Sequence, residues 1–445
     1  MAPEDGRRRA DSRRRWPESS LKGEDNRLNV AEEGCRNEDF AEGMSNRAPK
    51  IPRENVRSPM CDSNNSNTYR DWSILGQSIV VKPEQASFYD LVLFLLSPKA
   101  SDTTKFVENS EAALFGKFWR RWYIFISLLG QKLFIMGEKP MAQFGHVLEL
   151  WLNLLSRKVV WPQSQSATYK SVIECLDERL DLDKSIGQGN KDYNKALSVM
   201  ACKITYENEA FIQAIVEDHW NMKFVKYYNC WNDYQEQFST QAIMLQNTKD
   251  NPNLIVVAFK GTGPFDAVAW RADFDLSWVE FAGEGKLQSG FCKALGMQKE
   301  YNGFPKEIEQ RSDQRQFAYY AIRERLIDML QKNENAKFVV TGHSLGGALA
   351  VLRGGTSQGR TGATAQAYSE EPNKNYFSVF WVIPKYITAN VELIRSFVIP
   401  YIRGPDYKET LLMKIFRASG LVIPGLPAHS TQDYVSHTIG IPYGL

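Results

Sequence analysis

The chain has 445 residues, 43% of them hydrophobic and 12% aromatic, with a formal net charge of +2. This is enough apolar material for a sizeable core, and bulk charge gives no reason to expect a nucleic-acid partner. Six cysteines (Cys35, Cys61, Cys175, Cys202, Cys230 and Cys292) are scattered without a Cys-x-x-Cys. That argues against a disulfide framework or a zinc site and for a reducing compartment.

Residues 1 to 76 are polar and carry Arg7-Arg8-Arg9 and Arg13-Arg14-Arg15. With so little to bury, this stretch is predicted to be a disordered tail. It has no apolar h-region, so no secretory signal peptide is expected. From about Ser78 the composition changes. Ala86 to Leu96 reads as an apolar helix stopped by Pro98, and Phe118 to Met136 as a second apolar stretch interrupted by Gly130, Gln131 and Lys132. A spanning helix needs about 20 predominantly apolar residues. This one falls short, and aromatics beside Arg120 and Arg121 suit an interfacial anchor, with a core-packing layer as the alternative.

Residues 192 to 220 carry a long helical pattern, followed by an aromatic-rich connector, Tyr227-Tyr228-Asn229-Cys230-Trp231. Two strands, Gln241 to Leu245 and Leu254 to Phe259, flank turn chemistry at Asn247 to Asn253 and predict a hairpin. A helix from about Gln316 to Lys332 leads into Lys337-Phe338-Val339-Val340-Thr341-Gly342-His343-Ser344-Leu345-Gly346-Gly347-Ala348-Leu349-Ala350. Its first part is a β-favouring run and its last part suits a buried helix.

Between them, Gly342-His343-Ser344-Leu345-Gly346 is a Gly-x-Ser-x-Gly nucleophile elbow. A serine on so sharp a strand-to-helix turn exposes its hydroxyl, and the flanking glycines let backbone approach without a Cβ clash. The turn also aims the Leu345 N–H, at a helix N-terminus, where an oxyanion would form. Upstream, Phe259-Lys260-Gly261-Thr262 sets a small polar residue on a glycine turn at a strand end. Of the five histidines, His146 and His219 precede the serine, whereas the hydrolase order Ser…Asp/Glu…His puts the base after it. His343 adjoins the nucleophile and is expected to be structural. His429 and His437 remain.

Together with Tyr228 to Tyr234, Glu371 to Phe377 and Gly425-Leu426-Pro427-Ala428-His429, these motifs resemble the class 3 (fungal-type) lipases, in particular their plant oil-body-associated triacylglycerol lipase branch. The resemblance covers roughly Ser78 to Tyr434. It implies an α/β-hydrolase fold, preceded here by an apolar helical extension and the tail. The implied organisation is a tail over 1–76, a membrane- or droplet-associating helical region over 77–160 and a lipase domain over 161–445. It further implies Ser344 as acyl nucleophile, the N–H groups of Thr262 and Leu345 as oxyanion hole, and His429 as general base. A lid is implied over Phe265 to Phe274, including Trp270. Neither metal nor organic cofactor is implied. The implied partners are a triacylglycerol substrate and a lipid-droplet or membrane surface on the cytosolic side, without nucleic acid.

The family pattern carries its triad acid in a Gly-x-Pro-x-x-Gly-Asp segment after the elbow helix. Here residues 353 to 369 have neither a strand signature nor an acid and run directly into Glu371-Pro372. Asp406 is the only aspartate between Ser344 and His429, and its surroundings resemble a stretch downstream of the true acid. The expectation is therefore a lipase lacking its acid. A catalytically impaired droplet-associated paralogue or splice form, and a phospholipase or galactolipase, are the alternatives. Tyr376 to Ile402, strongly apolar and punctuated by Pro384 and Pro400, reads as a second interfacial contact or as core.

Overall fold

The computed structural model describes residues 79–96, 105–109, 118–155, 165–173, 180–182, 190, 193–247, 253–281, 285–297, 315–357, 379–403, 409, 411–422 and 429–431. The expected tail over 1–76, most of the bridging stretch from 358 onward, the Glu371 to Phe377 motif, Asp406 and the Gly425 to Ala428 motif lie outside them. In chain order the elements are β1 (Ile79–Val81), α1 (Phe88–Leu96), β2 (Val107–Asn109), α2 (Phe118–Leu155), α3 (Tyr193–Ile204), α4 (Glu209–Ala214), β3 (Lys223–Asn232) and β4 (Gln237–Gln246). There follow β5 (Leu254–Phe259), α5 (Ala267–Asp273), β6 (Trp278–Phe281), β7 (Gly285–Gln288), α6 (Ser289–Leu295), α7 (Ala318–Lys332), β8 (Lys337–Gly342), α8 (Leu345–Ser357), α9 (Val379–Arg403) and α10 (Leu411–Ser419).

The main sheet has the order β3-β4-β5-β8, antiparallel except for the parallel pair β5–β8. Every residue of β5 is buried, which its unbroken apolar sequence requires of a strand covered on both faces. Successive side chains feed two cores. Ile255, Val257 and Phe259 pack with Leu345 and Leu349 of α8 and Ile322 and Leu326 of α7. Leu254, Val256 and Ala258 pack with Leu197, Met200 and Ile204 of α3 and Ile212 of α4. Helices on both faces of a sheet holding the strand–elbow–helix unit give the expected α/β architecture.

Three local expectations are corrected. Tyr227 to Trp231 is not a connector but part of β3, paired along β4. Tyr228, Cys230 and Asn232 turn inward with period two, an alternation obscured by the polar and aromatic residues that carry it. The helical pattern over 192–220 is two helices, because Asn208 accepts the Phe211 N–H at 3.0 Å and caps a new one. The apolar stretch from Phe118 is not interrupted at Gly130 but is one helix of 38 residues, continuing through Pro140.

A second, antiparallel sheet has the order β2-β1-β6-β7. It joins the segment before α1 to the segment after α5, with Ile79 opposite Trp278. A buried ion pair fixes the join. Lys293 Nζ donates to Asp275 at 2.6 Å and to the Val81 carbonyl at 2.9 Å. α1 starts on a reciprocal cap in which Asp90 accepts the Ser87 N–H at 2.8 Å and Ser87 Oγ accepts the Asp90 N–H at 3.1 Å. Among the described residues, no helix is long and apolar enough to cross a membrane.

Candidate active site

Because β5 and β8 are parallel and in register from Leu254↔Lys337 to Phe259↔Gly342, their C-terminal ends lie side by side. The turn after β5 and the elbow after β8 therefore meet. Ser344 sits at φ +56°, a left-handed conformation that an L-residue holds only when its surroundings impose it. A Cβ on Gly342 would lie 2.0 Å from the Gly346 carbonyl oxygen, and one on Gly346 would lie 2.3 Å from that of Phe259. Both sites exclude any side chain. Leu345 opens α8, so its N–H has no intrahelical acceptor and lies at the positive end of the helix dipole.

On the facing turn, a Cβ at Gly261 would lie 2.4 Å from the His343 carbonyl oxygen, which brings Thr262 against the elbow. Thr262 Oγ1 donates to Asp273 Oδ2 at 2.6 Å. Burial pushes the Asp273 carboxyl up to about 6, with the Thr262 bond opposing the rise. Sequence reading missed Asp273. Its signal was an aspartate at the end of the segment following the oxyanion turn, one of several acids there.

The segment bearing His429 also reaches the elbow. The rings of His343 and His429 are 4.9 Å apart, and His343 Nε2 lies 2.8 Å from the His429 carbonyl oxygen. Burial lowers the pKa of His429. Burial and the neighbouring His429 push His343 down to about 4, so His343 is neutral near pH 7. Its Nδ1 lies 2.8 Å from Tyr206 Oη. Of the other histidines, His146 is on α2, His219 pairs with Asp181 at 2.9 Å, and His437 lies outside the described residues. The three cysteines buried in the described core, Cys202, Cys230 and Cys292, are unpaired thiols. Burial raises all three, to about 11, 12 and 12, so none is a thiolate nucleophile.

A strained serine, a glycine turn and a histidine converge at the end of a parallel strand pair, and comparison with known proteins agrees. The family described as "Lipase (class 3)" matches residues 256–358, from within β5 through the elbow helix. A protein from Nicotiana tabacum named triacylglycerol lipase OBL1 is 31% identical over 473 residues, covering 71% of this chain and 82% of its own length. The chain belongs to the class 3 lipases. The like-named Arabidopsis thaliana and Ricinus communis proteins are 30% and 26% identical, with 80% of this lipase covered in each case and 93% and 94% of the relatives. A solved structure, the propeptide complex of Rhizomucor miehei lipase, aligns over 36% of this chain and 43% of its own at 19% identity. Its TM-score of 0.24 is too low to carry an argument. Membership brings the α/β-hydrolase fold and the class of carboxylic-ester hydrolase. The tobacco alignment runs over more residues than this lipase contains, although 71% of the lipase takes part. The relative therefore holds stretches with no counterpart here.

In this lipase the segment Phe265 to Phe274 is built around α5, capped by Asp266 accepting the Ala269 N–H at 2.9 Å. It lies along α2. Trp270 stacks on Phe134 at 6.0 Å and 6°, and Phe265 meets Phe144 edge-on at 5.3 Å. A Cβ on Gly145 would lie 2.7 Å from Phe265 Cβ. Ser127 Oγ donates to the Phe274 carbonyl at 2.8 Å and accepts the Leu276 N–H at 3.0 Å.

Proposed function

We propose that this chain is a triacylglycerol lipase that works through an acyl-serine intermediate. The observation that carries the reading is the left-handed Ser344 held against the Gly261-Thr262 turn and the His429 segment. Ser344 Oγ attacks the ester carbonyl while His429 takes its proton. The N–H groups of Thr262 and Leu345 stabilise the oxyanion. The intermediate collapses by expelling the glycerol oxygen, which leaves with the proton from His429. Water then repeats the sequence on the acyl-serine and releases the fatty acid. Asp273 holds the Thr262 hydroxyl and so fixes the turn whose N–H faces the oxyanion. Neutral lipid is the substrate class the relatives' names suggest.

The lid reading of Phe265 to Phe274 is kept, with Trp270 on its α2-facing side. The lipid-contact surface consists of the exposed faces of two helices. α2 presents Trp119, Met136, Val147 and Trp151 to solvent, and α9 presents Ile383, Ile387, Val391, Ile394, Val398 and Tyr401. On α9 these repeat every three or four residues, the period of one helical face. A helix of this kind lies in a lipid interface without spanning it, which fits association with a droplet or membrane surface.

A second reading, an impaired droplet-associated form, is favoured by the sequence after the elbow helix, where residues 353–369 contain no acid. Loss of the orienting acid costs about 10⁴ in kcat in the serine protease template. One experiment separates the two readings. The full chain is treated with a fluorophosphonate, which forms a Ser344–phosphorus bond and expels fluoride, and is then assayed on emulsified triolein. Labelling abolished by Ser344→Ala, with triolein turnover above the Ser344→Ala background, supports the lipase. Labelling with turnover at that background assigns the impaired form, and no labelling at all removes the serine mechanism.

A further inference from the structure

The nucleophile's neighbour in sequence has a task the triad does not cover. We propose that Tyr206 and His343 form a positioning pair that holds the base His429 by its own backbone. The inference rests on the serine mechanism above for its catalytic meaning, but not for its geometry. A carbonyl oxygen only accepts, so the 2.8 Å contact between His343 Nε2 and the His429 carbonyl requires a proton on Nε2. The imidazole is neutral near pH 7, so Nδ1 carries a lone pair and the Tyr206 hydroxyl, 2.8 Å away, donates to it. Tyr206 thus selects the one His343 tautomer that can donate to the His429 main chain.

The pair is itself held on two sides. Tyr206 follows α3, whose Cys202 Sγ lies 3.1 Å from Thr341 Oγ1 on the elbow strand. Its hydroxyl lies where a Cβ on Gly261 would come within 2.2 Å. One phenol therefore touches the oxyanion turn and the elbow histidine, and through that histidine it reaches the segment bearing the base. In an acid-complete triad a carboxylate orients the base through its ring. The main-chain contact from His343 is a separate hold on the base, and it fixes where that ring starts.

The test uses the full chain and the second-order rate of Ser344 labelling by a fluorophosphonate, followed across pH 5 to 9. Tyr206→Phe removes one oxygen, and His343→Leu removes both ring nitrogens. His343→Gln keeps a side-chain N–H where Nε2 stood. The expected result is labelling slowed about tenfold or more in Tyr206→Phe and His343→Leu, with melting temperatures near that of the unsubstituted chain. His343→Gln should recover part of the rate, and the acid limb set by His429 should persist in every variant. Unchanged labelling in both Tyr206→Phe and His343→Leu overturns the proposal. If His343→Leu does not fold, Tyr206→Phe decides alone. If the unsubstituted chain fails to label, the serine mechanism fails, and the pairing is decided by hydrogen exchange. Faster amide exchange in the peptide containing His429 upon Tyr206→Phe sustains it, and unchanged exchange overturns it.

Discussion

Asp273 shows how a single buried carboxyl links the turn chemistry to pH. Its folded pKa is raised from 3.8 to about 6 by burial, so the native state favours the protonated form. The sign follows. The associated stability is present below pH 4 and is lost as pH rises through 6, at a cost of about 3 kcal/mol. Asp273→Asn keeps an acceptor for the Thr262 hydroxyl but removes the buried charge. It should be more stable than the unsubstituted chain at pH 8, by about 1–2 kcal/mol in urea unfolding, and show no gain at pH 4. Equal stability at pH 8 would mean that the carboxylate is not paying a desolvation cost. Asp273→Ala, which leaves Thr262 without that acceptor, should instead slow the labelling of Ser344.

At the scale of elements, α2 is decisive. Its glycines admit aromatics from the lid segment: a Cβ on Gly130 would meet the Phe274 ring at 2.7 Å, and one on Gly145 would meet Phe265 Cβ at 2.7 Å. Its Phe134 stacks on Trp270 and meets Phe274 edge-on at 5.2 Å. Removing a half-buried aromatic that makes such contacts costs about 1–3 kcal/mol. Phe134→Ala is therefore expected to loosen α5 locally rather than unfold the chain. Limited proteolysis should cut within 265–274 several-fold faster, while the global melting temperature moves little. An unaltered cleavage rate there would show that α2 does not restrain the segment.

For the whole molecule, the consequential feature is the edge of the main sheet. Lys337 N–H donates to the Asn253 carbonyl at 2.6 Å, so Lys337, Val339 and Thr341 direct their backbone groups at β5 and Phe338 and Val340 direct theirs away. Among the described residues β8 has no partner on that side. Its residues remain partly exposed where those of β5 are all buried. An apolar strand with an open edge loses ladder hydrogen bonds and core cover. A Gly-x-Pro-x-x-Gly-Asp segment of the family pattern, placed across residues 358–369, is expected to raise the urea midpoint. It should also raise triolein turnover by up to about 10⁴, the cost assigned to a missing orienting acid. If stability rises without turnover, the defect lies in the acid alone. If neither changes, β8 is complete as it stands.

The sequence by itself determined the elbow, because the Gly-x-Ser-x-Gly spacing is local and the clash that demands Gly342 is with the Gly346 carbonyl four residues on. It also determined the β4–β5 hairpin, written in a local run of apolar residues around turn chemistry, and it implied Thr262 and Leu345 beside the serine through motif order. It left three things unread, because each depends on residues distant in the chain. The aromatic alternation of β3 becomes a strand only when β4 pairs with it. Gly130 looks like a helix interruption until Phe274 occupies the space it leaves. Tyr206 and His343, 137 positions apart, become one device only when the parallel pairing of β5 and β8 brings α3, the oxyanion turn and the elbow together. Local spacing therefore specified which chemistry the chain carries. The tertiary structure decided which side chains hold that chemistry in place, because hydrogen bonds and ring contacts across the fold have no periodicity along the chain.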